Sequence, residues 1–172
     1  AVAQAHAKDA GLEISYLNDS AESLLPSSRR RPGSFSVEAE GPGLRRGDAS
    51  LFDVVLALEI IEHVPDPAAF VQTCARLLKP GGLAVFSTLN RTPKSFALGI
   101  VAAEYLLRWV PTGTHSWKKF LKPSELAQCA RLAGLHPLDI TGLVFQPLSG
   151  GFALSKTDVD VNYFIAVRQT IR

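Results

Sequence analysis

Two carboxylates and an imidazole follow an apolar run at a spacing that could do chemistry. Glu59, Glu62 and His63 stand at positions i, i+3 and i+4, directly after residues 52–58. In a helix or turn this spacing gathers the three side chains on one face. They could then hold a divalent cation, Mg²⁺ through the carboxylates or a softer ion if the imidazole binds. Alternatively, they serve as general base and orienting acid, or are merely solvated at a helix start.

The elements around these residues predict one βαβ unit. Residues 52–58 and 83–89 are apolar runs typical of strands, and Pro65 and Pro67 open a helix between them. The sequence KPGG at residues 79–82 ends that helix in a tight turn, because proline stops a helix and glycine adopts positive φ. Open parallel sheets bind ligands at the carboxyl ends of their strands. Glu59, Glu62 and His63 follow the carboxyl end of the first predicted strand.

The rest of the chain continues this alternation. Apolar periodicity and capping residues predict helices over residues 1–10 and 123–132, and strands over residues 12–17, 135–144 and 161–167. Residues 146–160 are turn-rich and polar, which is typical of a connection. Residues 27–50 have almost no aliphatic side chains and predict a flexible loop. Strands that alternate with helices, followed by two closing strands, predict a doubly wound α/β sheet.

Composition narrows the class of protein. The 172 residues suit one domain, 47% are hydrophobic, and a net charge of +2 gives no sign of a nucleic-acid partner. Cys74 and Cys129 fall on helical patterns and are predicted to be reduced, buried thiols. No run reaches the roughly 18 apolar residues of a membrane span. The chain contains no methionine and starts inside a predicted helix, so we expect a fragment.

Four motifs in order support a family resemblance. The chain carries FDVVLALEIIEHVPDP, LLKPGGLAVFSTLNR, VPTGTHSWKKFLKPSEL and VNYFIAV between residues 51 and 168. This succession resembles the ubiquinone-biosynthesis O-methyltransferases, which are class I enzymes that use S-adenosylmethionine. The resemblance implies a Rossmann-like, mostly parallel α/β sheet with an antiparallel last strand. Residues 1–172 would be a single partial methyltransferase domain that lacks the first βαβ unit and its glycine-rich loop. We therefore expect weak or no cofactor binding by this chain alone.

The resemblance also implies roles for single residues. Leu58 matches the residue that lies against the adenosyl group of S-adenosylmethionine, and the stretch Ser20, Ala21 and Glu22 would approach the adenine. Capping is the alternative role for that stretch.

The metal and base assignments have the same source. Glu59, Glu62 and His63 match the divalent-metal triad of the family, for which Mg²⁺ is the expected ion. The cation would bind the oxygens of a catechol-type acceptor and lower the pKa of the attacking hydroxyl. His63 or His115 would take the proton, although His115 also suits a lid. Asn90 and Arg91 would lie on the substrate side.

The implied function is methyl transfer to a polyprenylated catechol-type hydroxyl in ubiquinone biosynthesis. Alternatives are a class I methyltransferase for another small phenol or quinone, and a non-catalytic scaffold of the pathway. Residues 94–119 are apolar, and the resemblance favours a lid or membrane-facing insertion over a core helix. Expected partners are the polyprenylated phenol, a membrane surface and other proteins of the pathway. The expected location is the cytoplasmic face of a bacterial inner membrane or, alternatively, the matrix side of the mitochondrial one.

Overall fold

A computed structural model describes residues 2–25, 52–98, 100, 111, 113 and 116–170. It divides into two compact units, Ala1–Ser50 and Leu51–Arg172, which are treated separately here. The predicted loop at residues 27–50, His115 and much of the predicted insertion at residues 94–119 lie outside the described residues.

The described part of the first unit is one helix and the segment behind it. Helix α1, Val2–Asp9, confirms the predicted helix and is followed by Gly11 with φ of 66°. Residues 12–17 form no strand, so that prediction is wrong. A strand needs a hydrogen-bonded neighbour, and the described part of this unit offers none. Tyr16 instead donates a hydrogen bond from its hydroxyl to the carbonyl of Ala3, at 2.9 Å.

The second unit is built on a five-stranded sheet in the order β1-β2-β5-β3-β4. Its strands are β1 Phe52–Leu58, β2 Leu78–Leu89, β3 Leu135–Gln146, β4 Gly151–Ser155 and β5 Asn162–Gln169. The pair β1 and β2 is parallel, whereas β5 runs antiparallel between β2 and β3. This confirms the class I α/β fold with its antiparallel last strand.

Two helices cover one face of this sheet. Helix α2, Pro67–Leu77, begins where the Asp66 carboxylate accepts a hydrogen bond from the amide of Ala69 at 3.0 Å, with proline in the first turn. A single turn, α3, spans Pro93–Ser95, and helix α4 is Pro123–Leu132. Proline suits the first turn because the amides there lack helical partners anyway. Both longer helices were predicted from these prolines.

The core lies between those helices and the sheet. Its largest buried side chains in the described residues include Phe86, Tyr163, Val71, Leu126 and Ile165. The Tyr163 hydroxyl donates to the carbonyl of Leu121 at 3.1 Å. Burial, and then the nearby carboxylates of Glu125 and Glu62, raise the pKa of Tyr163 far above its usual value. The phenol therefore acts as a neutral donor.

Neither cysteine forms a disulfide, as predicted. Cys74 is buried in the core, whereas Cys129 is only partly buried. Burial is the main cause that raises the pKa of Cys129, so its thiol stays protonated and poorly nucleophilic. No helix in the described part of the chain is long and apolar enough to cross a bilayer.

The KPGG sequence is more than the tight turn that was predicted. Strand β2 already starts at Leu78, and its pairing jumps from Phe52 opposite Leu78 to Val54 opposite Leu83. Gly81 takes a φ of 77°, as the turn chemistry requires. The segment is therefore an irregularity within the strand, which lets the chain enter the sheet directly from α2.

The connection predicted at residues 146–160 contains a strand. Strand β4 pairs antiparallel with β3, with Phe152 opposite Phe145 and Leu154 opposite Leu143. Its short apolar run lies among glycines and serines, so the polar composition around it concealed the strand. The segment after β4 then crosses closely over Gly142 of β3.

Gly142→Ala is expected to lower the free energy of unfolding by about 1–3 kcal/mol. An added Cβ would lie 1.7 Å from the carbonyl oxygen of Asp158, so backbone must move. Chemical denaturation measures the effect. Gly151→Ala is the matched control, because its Cβ would meet only the Ser149 hydroxyl at 3.7 Å. Equal losses in the two variants would contradict the close approach.

Candidate active site

The carboxyl end of β1 fixes Glu59 in a strained backbone conformation. Its φ is 54°, a left-handed value that costs a non-glycine residue about 1 kcal/mol or more. The Glu59 amide donates to the Ser87 carbonyl at 3.1 Å, and the Ser87 hydroxyl donates to Glu59 Oε1 at 2.6 Å. Asn162 Nδ2 donates to the same oxygen at 2.9 Å. Strain held in place by β2 and β5 is typical of a functional position.

Glu62 is the most unusual side chain at this edge. It is only 3% exposed, and the Thr88 hydroxyl donates to its Oε2 at 2.9 Å. Its Oε1 is buried and has no hydrogen-bond partner among the residues that the structure describes. Leaving a buried carboxylate oxygen unpaired is costly, and native structures rarely do so. Glu62 Oε1 is therefore suited to accept a hydrogen bond from a bound ligand or to bind a cation.

A cavity of about 300 Å³ lies beside Glu62. It is lined by Glu62, Val64, Pro65, Pro67, Arg91, Lys118, Lys119, Phe120, Leu121 and Glu125. Arg91 forms an ion pair with Glu125, which also accepts the amide of Lys122 at 2.9 Å. Lys118 and Lys119 belong to a short 3-10 helix, Trp117–Lys119. The indole of Trp117 donates a hydrogen bond to the Thr92 carbonyl at 3.1 Å. The cavity thus combines one buried acid, an apolar wall and a cationic rim.

The three predicted metal ligands are not gathered together. Glu59 is bound to Ser87 and Asn162, Glu62 is buried against Thr88, and His63 is exposed. Within the described residues, no group of three or more His, Cys, Asp or Glu side chains could hold a metal. The helical i, i+3, i+4 rule fails here because Glu59 is left-handed and only a turn follows it. Carboxylate oxygens are the ligands that a hard cation prefers, but Glu59 would have to release Ser87 and Asn162 before both carboxylates could bind one.

Comparison with known proteins assigns this chain to a family. A protein-family model described as a methyltransferase domain matches residues 3–140. The chain belongs to the methyltransferase-domain family.

The methyltransferase domain is also similar to curated bacterial proteins, which confirms the resemblance of its motifs. A protein of Cereibacter sphaeroides named ubiquinone biosynthesis O-methyltransferase is 47% identical over 98% of this chain and 60% of its own length. A protein of the same name from Idiomarina loihiensis is 48% identical, with the same two coverages of 98% and 60%. The chain therefore spans less than two thirds of the length of these relatives.

Solved structures support the fold alone. A SAM-dependent methyltransferase of Thermotoga maritima aligns with a TM-score of 0.53 and 18% identity, over 70% of this chain and 57% of its own. The [4+2]-cyclase SpnF aligns with a TM-score of 0.54 and 13% identity, over 99% of this chain and 63% of its own. Since proteins with such different names share the fold, the reaction must be argued from the relatives and the site.

The predicted cofactor residues of the methyltransferase domain lie in different units. Leu58 ends β1 with 44% of its surface exposed, which leaves it open to a ligand. In the first unit, Ser20 is the N-cap residue of a 3-10 helix, Ala21–Leu24, but its side chain makes no capping hydrogen bond. Ser20 therefore occupies the capping position that was predicted as the alternative, but its side chain does not cap the helix. The cofactor roles of Leu58, Ser20, Ala21 and Glu22 stay predictions.

The polar partners of the two glutamates were not predicted from the sequence. Ser87, Thr88 and Asn162 fix Glu59 and Glu62, and none was singled out. The sequence did carry a signal, because Ser87 and Thr88 are adjacent polar residues that interrupt the otherwise apolar strand β2 just before its carboxyl end. Of the two residues assigned to the substrate side, Arg91 lines the cavity. The Asn90 amide is buried and donates to the Val159 carbonyl at 2.9 Å, which is a structural contact.

Proposed function

We propose that this methyltransferase domain takes part in S-adenosylmethionine-dependent O-methylation of a polyprenylated catechol-type ring in ubiquinone biosynthesis. The observation that carries the proposal is the identity of 47% to a protein with that name, spread over 98% of the chain. The cavity beside Glu62 supports it, because an aromatic ring fits an apolar wall with one buried acceptor.

The reaction asks little of the protein beyond alignment and charge. When bound, S-adenosylmethionine would supply a sulfonium methyl group whose sulfur keeps the bonding electrons, and this chain would align the acceptor oxygen with that group and take its hydroxyl proton. An acceptor hydroxyl could donate to the unpaired Oε1 of Glu62, which would hold the ring in the cavity. Lys118 and Lys119 would stabilise the negative charge that develops on the ring oxygens. His63 and His115 are the proposed proton acceptors.

Metal assistance is part of the proposal. Glu59 and Glu62 would hold the cation, Mg²⁺ by the preference of that ion for carboxylate oxygens. When bound, it would polarise the acceptor oxygens and lower the pKa of the attacking hydroxyl. The unpaired Oε1 of Glu62 supports a role for this residue as a ligand, whereas the exposed position of His63 does not.

Partners and location follow from the proposed substrate. A polyprenylated phenol resides in a bilayer, so we propose peripheral contact with the cytoplasmic face of a bacterial inner membrane. Residues 94–119 and other proteins of the pathway are the proposed contacts. The matrix side of a mitochondrial inner membrane is the alternative.

Transfer of labelled methyl to a short-chain polyprenyl catechol tests the proposal, with the complete product of the gene assayed beside this chain. We expect activity in the complete product, loss with EDTA and recovery with Mg²⁺. Activity that ignores chelation would remove the metal and keep the reaction. Preferential methylation of other small phenols would mean that the substrate is one of those phenols. Binding of S-adenosylmethionine without any methyl transfer would favour a non-catalytic scaffold.

A further inference from the structure

The carboxylate of Glu59 is fixed through one of its two oxygens. Its Oε1 accepts hydrogen bonds from the hydroxyl of Ser87 at 2.6 Å and from the side-chain amide of Asn162 at 2.9 Å. The backbone amide of Glu59 donates to the Ser87 hydroxyl at 3.1 Å, so the same residue holds both the side chain and the backbone. Ser87 is itself buried. The direction of the carboxylate is therefore set by strands β2 and β5.

Asn162 supports this arrangement and leaves one of its own atoms unpaired. A carboxylate only accepts hydrogen bonds, so Nδ2 of Asn162 must face Glu59. That orientation leaves Asn162 Oδ1 buried, without a hydrogen-bond partner among the described residues. Native structures rarely leave a buried acceptor unpaired. Together with the left-handed backbone of Glu59, the unpaired oxygen indicates that function, and not folding, requires the carboxylate in this position.

The second oxygen of Glu59 is available to a ligand. Glu59 is exposed, and its Oε2 makes no hydrogen bond or ion pair within the part of the chain that the structure describes. The preceding residue, Leu58, ends β1 and is also exposed. An anionic oxygen without a cationic partner thus lies beside an open apolar side chain at the carboxyl edge of the sheet, where α/β folds bind ligands.

The cofactor and its product differ in charge at one atom. S-adenosylmethionine carries a positive sulfonium, whereas S-adenosylhomocysteine has a neutral thioether at the same place. A nearby carboxylate attracts the first form and has no charge to attract at that atom in the second. One fixed oxygen suits a single organic cation. A hard dication would need both glutamates at once, and Glu59 and Glu62 are held by different partners.

We propose that Glu59, positioned by Ser87 and Asn162, makes the site prefer the sulfonium form of the cofactor over its neutral thioether product. This preference would favour the exchange of product for fresh cofactor after each methyl transfer. The inference rests on the proposed function for the identity of the cofactor, and it adds Ser87 and Asn162 as positioning residues. Binding of Mg²⁺ by Glu59 is the competing assignment, and the experiment separates the two.

Isothermal titration of the complete gene product, in EDTA, measures the preference. The charged probe is sinefungin, an unreactive analogue with a protonated amine in place of the methylsulfonium, and the neutral probe is S-adenosylhomocysteine. Glu59→Gln is expected to weaken binding of the charged probe by about fivefold, the contribution of a partly exposed ion pair. Binding of the neutral probe should not change, which also verifies that the variant is folded.

The positioning residues are tested by the same ratio of affinities for the two probes. Ser87→Ala and Asn162→Leu each remove one of the two donors to Glu59, so each is expected to weaken binding of the charged probe by about twofold. Ser87→Thr keeps the hydroxyl and should keep the wild-type ratio. A merely structural role of these residues would weaken binding of both probes equally and leave the ratio unchanged.

Asp53→Asn is the matched control for loss of charge. It removes one negative charge from the amino end of the same strand, where Asp53 forms an ion pair with Lys79 at 2.8 Å. Six residues of extended strand place it about 20 Å from Glu59, beyond the roughly 8–10 Å over which salt screens charges. The ratio of affinities should stay at its wild-type value.

Two results would overturn the inference. The first is a Glu59→Gln variant that binds the two probes with the wild-type ratio. The second comes from titration with Mg²⁺ alone: loss of Mg²⁺ binding in this variant, with the ratio unchanged, would make Glu59 a metal ligand. Both results leave the proposed methyl transfer intact, because it is assayed separately with a catechol acceptor. If the wild type bound neither probe, the proposed function itself would be wrong, and this inference with it.

Discussion

Glu62→Gln is expected to lower methyl transfer by about 10²-fold, the loss that follows when a group that aligns the reacting oxygen is removed. Glutamine fills the same buried space and can still accept the Thr88 hydroxyl. It then places an NH₂ group where the wild type has the unpaired Oε1, so it repels a hydroxyl donor or a cation. The turnover of the complete gene product, with a soluble catechol acceptor, measures the effect.

The response to chelation separates the two possible roles of Glu62. If it holds Mg²⁺, Glu62→Gln should abolish both the activity and its stimulation by the metal. If Glu62 instead accepts a hydrogen bond directly from the hydroxyl of the substrate that is methylated, the variant should lose the same fraction of activity with and without EDTA. A variant with wild-type turnover would contradict both roles and make the buried carboxylate a structural group.

Thr88 offers a matched pair of variants for the same site. Thr88→Val removes the one donor to Glu62 found among the described residues and leaves both carboxylate oxygens without a donor there, so we expect about a tenfold loss of turnover. Thr88→Ser keeps the hydroxyl and is expected to stay near the wild type. Loss in both variants would show that the packing of the Thr88 methyl group matters, and not the hydrogen bond.

The strands and helices with strong local signals could be predicted from the sequence. Residues 52–58 were predicted as a strand and form β1, because a short run of Phe, Val and Leu side chains favours a strand through its local preference. Prolines at the first turns placed α2 and α4 correctly, since proline restricts its own backbone whatever the tertiary context.

Elements that depend on distant partners were predicted less well. Residues 12–17 alternate like a strand, yet alternation alone cannot supply a neighbouring strand. The short strand β4 exists because β3 lies beside it, and nothing in its own glycine-rich sequence requires that pairing. The early start of β2 depends similarly on pairing between Phe52 and Leu78.

The candidate site was predicted in place but not in geometry. Its glutamates lie at the carboxyl edge of β1, as the topology of α/β sheets requires. The separate directions of Glu59 and Glu62 depend on one left-handed residue and on hydroxyl partners from β2. Spacing along the sequence carries no information about either.

Phe86→Ala is expected to lower the free energy of unfolding of the second unit by about 3–5 kcal/mol. Phe86 is fully buried and lies opposite Ala57 of β1 and Ile165 of β5. Its ring belongs to the core cluster that also contains Val71 of α2 and Leu126 of α4. Truncation would thus leave a cavity where two helices meet the sheet, and the loss is a large part of the roughly 5–15 kcal/mol that stabilises a typical protein.

Urea denaturation followed by tryptophan fluorescence measures this change, because both tryptophans of the chain belong to the second unit. Phe152→Ala is the control, since that ring lies on the hairpin of β3 and β4 and is 62% exposed. A surface truncation of this kind should change stability by no more than about 0.5 kcal/mol. Similar losses in both variants would mean that the hairpin is packed against protein, which would contradict the assigned core and the exposed tip together. A large loss for Phe86 alone supports the assigned core, because the exposed ring of Phe152 then contributes little to the stability of the same sheet.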